Sequence, residues 1–398
     1  MQTKFLVWFG IIMLVAFSIL LLACGGSSAG TGILFVAAQG DAQISRFSVN
    51  LKSGILSAKG SGLAVGPVPN AALLAPGGGV LFVLNGNQVS QTTGNCSNGS
   101  CAIYSFTVNN DGTLTAGGTT PVSGVAPVSM AMDASGQLLF VASQGDDTQQ
   151  PPIPPVISIY QVSGTTLTEQ TSAGSPVLLP HLPSAVAIPK SGSFLYVANS
   201  VVANSTTGTV SAYAFDSTGA LTPIFNPPSN EYNVGSSPSG LVLTAQKDGP
   251  PFLYVANFVS NDVYGFTACT MVSTTCLAAD GSLVPVTDTK FSAGNGPLSM
   301  AVDPTNNFLY VTDYNSNQVS VYVISRGTGK LSPANTSATS TGANPIWVAV
   351  HPAGKFAYVA NNGGASVSQF SVNTTTGVLG VVGEPVTTAG QPSALVLK

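Results

Sequence analysis

The stretch Phe194-Leu-Tyr-Val-Ala-Asn199 decides the fold, because shortened forms of it recur along the whole chain. Its centre is a short apolar run around one aromatic residue, which is typical of a buried β-strand. The recurring centres are Leu34-Phe-Val36, Leu81-Phe-Val83, Leu139-Phe-Val141, Leu195-Tyr-Val197, Leu253-Tyr-Val255, Leu309-Tyr-Val311 and Ala357-Tyr-Val359. Each copy therefore marks one structural repeat of about 50 residues.

Three further strands accompany each copy. One begins at a proline, as in Pro297-Leu-Ser-Met-Ala-Val302, and proline is tolerated where a strand starts. Another alternates in side-chain character around an aromatic residue, as in Ile103-Tyr-Ser-Phe-Thr-Val108, and a short strand with one leucine follows a glycine turn. Four strands per repeat and seven repeats predict an all-β, seven-bladed β-propeller.

The two ends of the repeat array are complementary. The strand at Leu34 has no proline strand before it, and Pro392-Ser-Ala-Leu-Val-Leu397 has no Leu-Tyr-Val strand after it. We expect this C-terminal strand to pair with the N-terminal blade, because ring closure removes exposed sheet edges. Residues 32–398 then form one propeller domain.

The N-terminus has the features of an export signal. Lys4 precedes the apolar run Phe5 to Leu22, and Leu21-Leu-Ala-Cys24 resembles the bacterial lipobox. We interpret residues 1–23 as a lipoprotein signal peptide, Cys24 as the lipidated residue, and 24–31 as a flexible tether. An uncleaved transmembrane anchor is the alternative, since 18 apolar residues could just span a bilayer. Both interpretations predict a protein of the bacterial cell envelope that faces the periplasm or the exterior.

The four remaining cysteines form two local pairs. In an oxidising compartment, the close spacing of Cys96 with Cys101 and of Cys269 with Cys276 predicts two disulfides. Zinc binding is the alternative, but the spacing and the absence of a nearby histidine are poor for it.

Charge narrows the range of partners. The chain has 11 basic and 15 acidic residues, and its basic residues are scattered. Nucleic-acid binding needs a concentrated basic surface, so we expect no nucleic-acid partner. No phosphate-binding loop or metal-ligand motif is present, so we expect no cofactor and no metal.

The repeat also resembles known families. Phe194-Leu-Tyr-Val-Ala-Asn199 and Asn307-Phe-Leu-Tyr-Val-Thr-Asp313 look like the YVTN-type repeat and the seven-bladed lactonase family, which includes propeller-type 6-phosphogluconolactonases. That family has a Pro-His-x-His stretch, of which Pro180-His181-Leu182-Pro183 keeps the first histidine. Its later Arg-containing stretch corresponds to Ala198-Asn199-Ser200 and the residues that follow, where no arginine occurs.

The candidate site residues lie where strands enter or leave one mouth of the central channel. His181, which matches the first histidine of the family stretch, could act as a general base because an imidazole titrates near neutral pH, and a plain loop histidine is the alternative. Glu231 lies in a long loop on the same side and is the one glutamate considered as its catalytic partner. Polar side chains predicted to bind a ligand are Asn199, Asn257, Asp262, Asn295, Asp313, Asn344 and Asn361. The same residue types are common in turns, so a purely structural role is the alternative.

Two functions follow from this sequence. We favour a lipid-anchored module that binds a small molecule, a glycan or a protein, because long inserts at 85–101, 143–156 and 269–280 would present loops on a rigid scaffold. The alternative is a hydrolase of the lactonase family that opens a lactone ring at the channel mouth.

Overall fold

The computed structural model describes residues 32–86, 101–147, 149–200, 207–224, 231–246, 248–334 and 338–398. These residues form seven antiparallel sheets arranged as the blades of a propeller, so the predicted seven-bladed fold is confirmed. A short 3₁₀ helix at Thr171–Ala173 is the one helix among the residues described.

The strands of the first four blades follow each other along the chain. Blade 1 contains β1 (Gly32–Gln39), β2 (Gln43–Val49), β3 (Leu56–Ala58) and β4 (Leu63–Ala64). Blade 2 contains β5 (Pro69–Leu74), β6 (Val80–Asn85), β7 (Ala102–Val108) and β8 (Leu114–Pro121). Blade 3 contains β9 (Pro127–Met132), β10 (Leu138–Ser143), β11 (Val156–Ser163), β12 (Thr166–Glu169) and β13 (Val177–Leu178). Blade 4 contains β14 (Pro183–Ala187), β15 (Phe194–Asn199), β16 (Thr209–Phe215), β17 (Leu221–Pro223) and β18 (Glu231–Asn233).

The last three blades complete the ring. Blade 5 contains β19 (Pro238–Leu243), β20 (Phe252–Asn257), β21 (Asp262–Ala268) and β22 (Leu283–Ser292). Blade 6 contains β23 (Pro297–Val302), β24 (Phe308–Asp313), β25 (Gln318–Ile324), β26 (Leu331–Pro333) and β27 (Thr339–Ser340). Blade 7 contains β28 (Pro345–Val350), β29 (Phe356–Asn361), β30 (Ser366–Val372), β31 (Leu379–Val381) and β32 (Val386–Thr387), and β33 (Gln391–Leu397) returns to blade 1.

Most blades have one strand more than expected. A strand of two or three residues pairs with the third strand of the blade, as β18 pairs with β16. These short strands lie in the connections between blades, where the sequence shows too few alternating residues to be recognised as a strand.

The predicted ring closure is confirmed. β33 pairs antiparallel with β1, from Leu34 opposite Leu397 to Gln39 opposite Gln391. Blade 7 also contacts blade 1 directly, because the Tyr358 hydroxyl donates to the Gly54 carbonyl at 2.8 Å. The last strand of the chain is therefore the innermost strand of the first blade.

Strand direction gives the ring two distinct ends. We call end A the end where the innermost strands begin at their prolines and the second strands finish, as at Pro183 and Asn199. End B is the opposite end, where the innermost strands finish and where the hairpins between the third and fourth strands lie. Because all innermost strands run in the same direction, loops of the same kind meet at the same end.

The tyrosine of the Leu-Tyr-Val strands joins neighbouring blades. In blades 4 to 6, the hydroxyls of Tyr196, Tyr254 and Tyr310 donate to the carbonyls of Gly281, Gly329 and Gly377 in the next blade, at 2.8–3.0 Å. These tyrosines are fully buried, and a buried hydroxyl without a partner would be costly. Blades 1 to 3 have the phenylalanines Phe35, Phe82 and Phe140 at this position.

The carbonyls of the strand-starting prolines join the blades around the channel. Polar side chains of one blade donate to the proline carbonyl of the next: Gln39 to Pro69, Asn70 to Pro127, Gln144 to Pro183, Ser239 to Pro297 and Asn362 to Pro392. The innermost strands are thus held by hydrogen bonds as well as by apolar packing.

Candidate functional site at end A

His181 lies in the loop that leads into the innermost strand of blade 4. In blades 2, 3, 5, 6 and 7 the equivalent loops read Gly-x-x-Pro, with Gly66, Gly124, Gly235, Gly294 and Gly342 in the first position. A Cβ on any of these glycines would come within 3 Å of the residue that ends the second strand of the blade. Blade 4 has Pro180 instead, so its loop cannot follow the same path, and His181 is the residue that comes next.

Glu231 reaches His181 from the outer part of the same blade. The structure places Oε1 of Glu231 2.7 Å from Nε2 of His181, with the two side chains 20% and 19% exposed. This pair is therefore partly shielded from solvent, yet open enough to be reached by a small molecule. A carboxylate at this distance fixes the orientation of the imidazole and leaves Nδ1 as its second nitrogen.

Hydrogen bonds hold the two residues in place. The backbone N–H of Ser200 donates to the Leu182 carbonyl at 2.8 Å, which fixes the loop after His181. Glu231 lies opposite Ser211 in the pairing of β18 with β16. Nδ2 of Asn199 donates to the hydroxyls of Thr209 and Ser211 at 3.1 and 2.8 Å, so Asn199 joins the strands that flank the pair.

The other predicted binding residues are mostly buried. Asn199, Asn257, Asp262, Asp313 and Asn361 are each at most 1% exposed. They lie at the end-A termini of second and third strands, where Nδ2 of Asn361 donates to Ser366 and Ser368, and Nδ2 of Asn257 donates to Asp262. Their side chains support the loops of end A rather than facing its open surface.

Asn295 and Asn344 are the two exceptions. Asn295 is exposed, and its Oδ1 accepts a hydrogen bond from Asn315. Asn344 is half-buried, has a φ of 51°, and contacts the Tyr314 carbonyl through Nδ2. Both lie on loops of blades 6 and 7, whereas the histidine–glutamate pair belongs to blade 4.

The two buried carboxylates among the predicted binding residues, Asp262 and Asp313, have different surroundings. Nζ of Lys290 lies 3.3 Å from Oδ2 of Asp262, which gives this carboxylate a cationic partner. Asp313 accepts hydrogen bonds from the Ser320 hydroxyl and the Gly294 N–H. Burial nevertheless raises the pKa of Asp313 to about 6. In blades 2, 4, 5 and 7, an asparagine occupies the position of Asp313.

The second histidine lies at the other end of the ring. His351 is buried at end B, where its Nδ1 accepts the N–H of Ala353, and burial lowers its pKa. End B also has a small cavity of about 50 Å³ inside the channel, lined by apolar residues such as Leu74, Trp347 and Val396. The Asp303 carboxylate beside it accepts the backbone N–H groups of Asn307 and Phe308. This cavity lies at the opposite end of the channel from His181.

The structure describes three of the five cysteines, Cys101, Cys269 and Cys276. Cys269 and Cys276 form a disulfide, as predicted. Cys96 and Cys24 lie outside the described residues, so the pairing of Cys96 with Cys101 and the lipidation of Cys24 stay predictions. Within the described ranges no group of His, Cys, Asp and Glu could hold a metal ion, and no helix is long and apolar enough to span a membrane.

One protein family matches the sequence of this chain. The family described as "Lactonase, 7-bladed beta-propeller" matches residues 156–394, which is more than half of the chain and includes His181 and Glu231. The chain belongs to this lactonase family. No curated protein matches it significantly.

Solved structures share the architecture at low sequence identity. A candidate 6-phosphogluconolactonase from Bacteroides fragilis has a TM-score of 0.71 at 15% identity and covers 94% of this chain and 100% of its own. The periplasmic gluconolactonase PpgL of Pseudomonas aeruginosa has a TM-score of 0.72 at 19% identity, with 92% and 99% covered. Hydrazine synthase of Kuenenia stuttgartiensis has a TM-score of 0.55 at 16% identity, with 89% and 99% covered. At these identities the likeness concerns the fold alone, and one fold supports several functions.

Proposed function

We propose that this protein hydrolyses an uncharged lactone at end A, with His181 as the general base and Glu231 as the residue that positions it. The observation that carries the proposal is the 2.7 Å contact between Nε2 of His181 and Oε1 of Glu231, in a chain of the lactonase family. Family membership favours this hydrolase over the binding module that the sequence alone suggested.

The reaction needs few groups from the protein. Nε2–H of His181 donates to Glu231, so Nδ1 accepts a proton from water as the water oxygen attacks the lactone carbonyl carbon. The tetrahedral intermediate then collapses, and the bond between that carbon and the ring oxygen breaks. The imidazolium returns its proton to the leaving ring oxygen, which gives the open hydroxy acid. Glu231 stabilises the imidazolium that exists between the two proton transfers.

The charges of end A favour a neutral substrate. The described acidic residues there are Asp41, Asp146, Asp147, Glu231, Asp262 and Asp313. The described lysine at this end, Lys290, is already paired with Asp262. A phosphorylated lactone would meet repulsion without a guanidinium to bind it, because phosphate recognition relies on basic side chains. We therefore infer that the substrate is a lactone without a phosphate group.

The proposed location is the bacterial cell envelope. Leu21-Leu-Ala-Cys24 supports lipid attachment at Cys24, and the disulfide between Cys269 and Cys276 suits an oxidising compartment. Phosphorylated sugar lactones are made inside cells, so an unphosphorylated substrate also agrees with this location.

Turnover by purified full-length protein tests the proposal. Proton release should be followed with a neutral aldonolactone and with its 6-phosphate, and we expect faster turnover of the neutral compound. His181→Ala should lower kcat by about 10²- to 10⁴-fold, the usual contribution of a general base. Glu231→Gln keeps an acceptor for Nε2–H but removes the charge, so kcat should fall while KM stays nearly constant.

The control is Lys355→Ala, an exposed residue at end B, which should retain full activity. If wild type and His181→Ala both show only the uncatalysed rate on a panel of lactones, the hydrolase proposal is wrong and the binding module becomes the better interpretation.

A further inference from the structure

The described chain begins at end B. Gly32 starts β1 on that side, beside the C-terminal Lys398, whose backbone exchanges two hydrogen bonds with Ile33. Residues 25–31 are all that separate Cys24 from Gly32, and seven residues span at most about 25 Å. If Cys24 carries lipid, as proposed above, end B of blade 1 must stay within that distance of the bilayer.

Apolar hairpin tips occur at the same end on opposite sides of the ring. In blade 5, the disulfide-linked hairpin between β21 and β22 exposes Leu277 by 90% and Val272 by 69%. In blade 1, Leu51 and Ile55 are exposed on the hairpin next to Gly32. Contacts at blades 1 and 5 together would hold the whole of end B parallel to a flat surface.

Charge distinguishes the two ends more clearly than apolar exposure does, since Val259 at end A is also 60% exposed. At end B the described basic residues are Lys52, Lys190, Arg326, Lys330, Lys355 and Lys398, and the described acidic residues are Asp111, Asp133, Asp216, Asp248, Asp280 and Asp303. The two sets are equal in number, and Lys330 is in addition paired with Asp288 on the fourth strand of blade 5 at 2.6 Å. End A has the six acidic residues named above against Lys290. An anionic surface therefore repels end A and tolerates end B.

We propose that end B rests on an anionic phospholipid bilayer, with the hairpin around Leu277 inserted among the headgroups. The inference depends on the lipid attachment proposed above and goes beyond it, because lipid attachment alone leaves the propeller free to turn. When end B is docked, the channel mouth at end A, with His181 and Glu231, faces away from the membrane and stays open to soluble substrate.

Tryptophan quenching tests which end meets the lipid. Leu277→Trp and Val259→Trp are matched variants, because both replace exposed apolar residues of blade 5, at end B and end A respectively. Trp347 is fully buried and contributes the same background to both, and the other tryptophan, Trp8, is removed with the proposed signal peptide. The full-length protein, processed in cells, is incorporated into vesicles of phosphatidylethanolamine and phosphatidylglycerol that contain a lipid brominated near its headgroup.

We expect Leu277→Trp to show blue-shifted emission and to lose most of the added fluorescence, while Val259→Trp keeps its fluorescence. Equal quenching of both variants, quenching of Val259→Trp alone, or quenching of neither would overturn the docking proposal. Flotation with vesicles and the mass of the purified protein report lipid attachment separately: wild type should float and carry acyl chains on Cys24, whereas Cys24→Ala should carry none. Flotation of wild type without quenching at position 277 leaves the attachment standing and refutes the docking, whereas failure to float refutes both.

Discussion

At the scale of single residues, the polar side chains of end A divide into two groups with different environments. The asparagines and aspartates that end the second strands are buried and bonded to the third strand, whereas His181 and Glu231 remain partly exposed. Residue type alone did not separate the two groups, because an asparagine that caps a strand and one that binds a ligand look the same in a sequence.

Asp313 is the residue whose environment gives the clearest prediction. Its folded-state pKa of about 6 lies above the usual value for aspartate, so burying the charge costs stability above pH 6, and this cost disappears as the pH falls toward 4. Asp313→Asn should raise the free energy of unfolding by about 2 kcal/mol at pH 8, because Nδ2 can donate to Ser320 as Asn361 does to Ser368.

Urea unfolding at pH 8 and pH 4.5 measures the effect of this substitution. The gain should shrink at the lower pH, and the exposed Asp41→Asn should show almost none at either pH. A gain of equal size at both pH values would mean that the charge of Asp313 is not its source.

At the scale of elements, the sequence predicted what repeats in every blade more completely than what is particular to one blade. The Leu-Tyr-Val strands, the proline starts and the closing strand were all visible, because buried strands impose the same residue types in every blade. The contact between His181 and Glu231 could not be derived from spacing, since it depends on how β18 pairs with β16. One signal was available: Pro180 breaks the Gly-x-x-Pro pattern at the blade that carries the histidine.

Two glycines in the hairpin of blade 6, Gly329 and Gly327, allow a matched test of the contact between blades 5 and 6. Gly329 has a φ of +69°, and a Cβ there would lie 2.6 Å from the Phe252 ring of blade 5, whereas a Cβ at Gly327 would meet nothing within 4 Å. Gly329→Ala should therefore lower the free energy of unfolding by about 2–4 kcal/mol through backbone strain and overpacking. Gly327→Ala, two residues away, should change it by less than about 0.5 kcal/mol. Similar values for both variants in urea unfolding would argue against this contact between blades.

At the scale of the whole molecule, the ring depends on one strand supplied by the far end of the chain. Deletion of Gln391 to Lys398 removes the partner of β1 together with the buried side chains of Ala394, Leu395 and Leu397. We expect the truncated protein to aggregate or to melt at a much lower temperature, because an unpaired edge and an apolar surface are both exposed.

Adding a synthetic peptide of residues 391–398 should partly restore the melting temperature, since a peptide can add to an open sheet edge. Unchanged melting of the truncated protein, with no effect of the peptide, would show that closure contributes little.

The pairing of β1 with β33 also sets the order of events when the protein is made. β1 leaves the ribosome before the other strands of the propeller and its inner partner β33 leaves after them, so blade 1 cannot be completed until the strands of every other blade have been made. Until then β1 presents an open edge to every strand that emerges after it, and pairing with a wrong strand competes with correct folding. A nascent chain of this kind benefits from staying unfolded until β33 is available, because an early pairing of β1 with another strand must be undone before the ring can close.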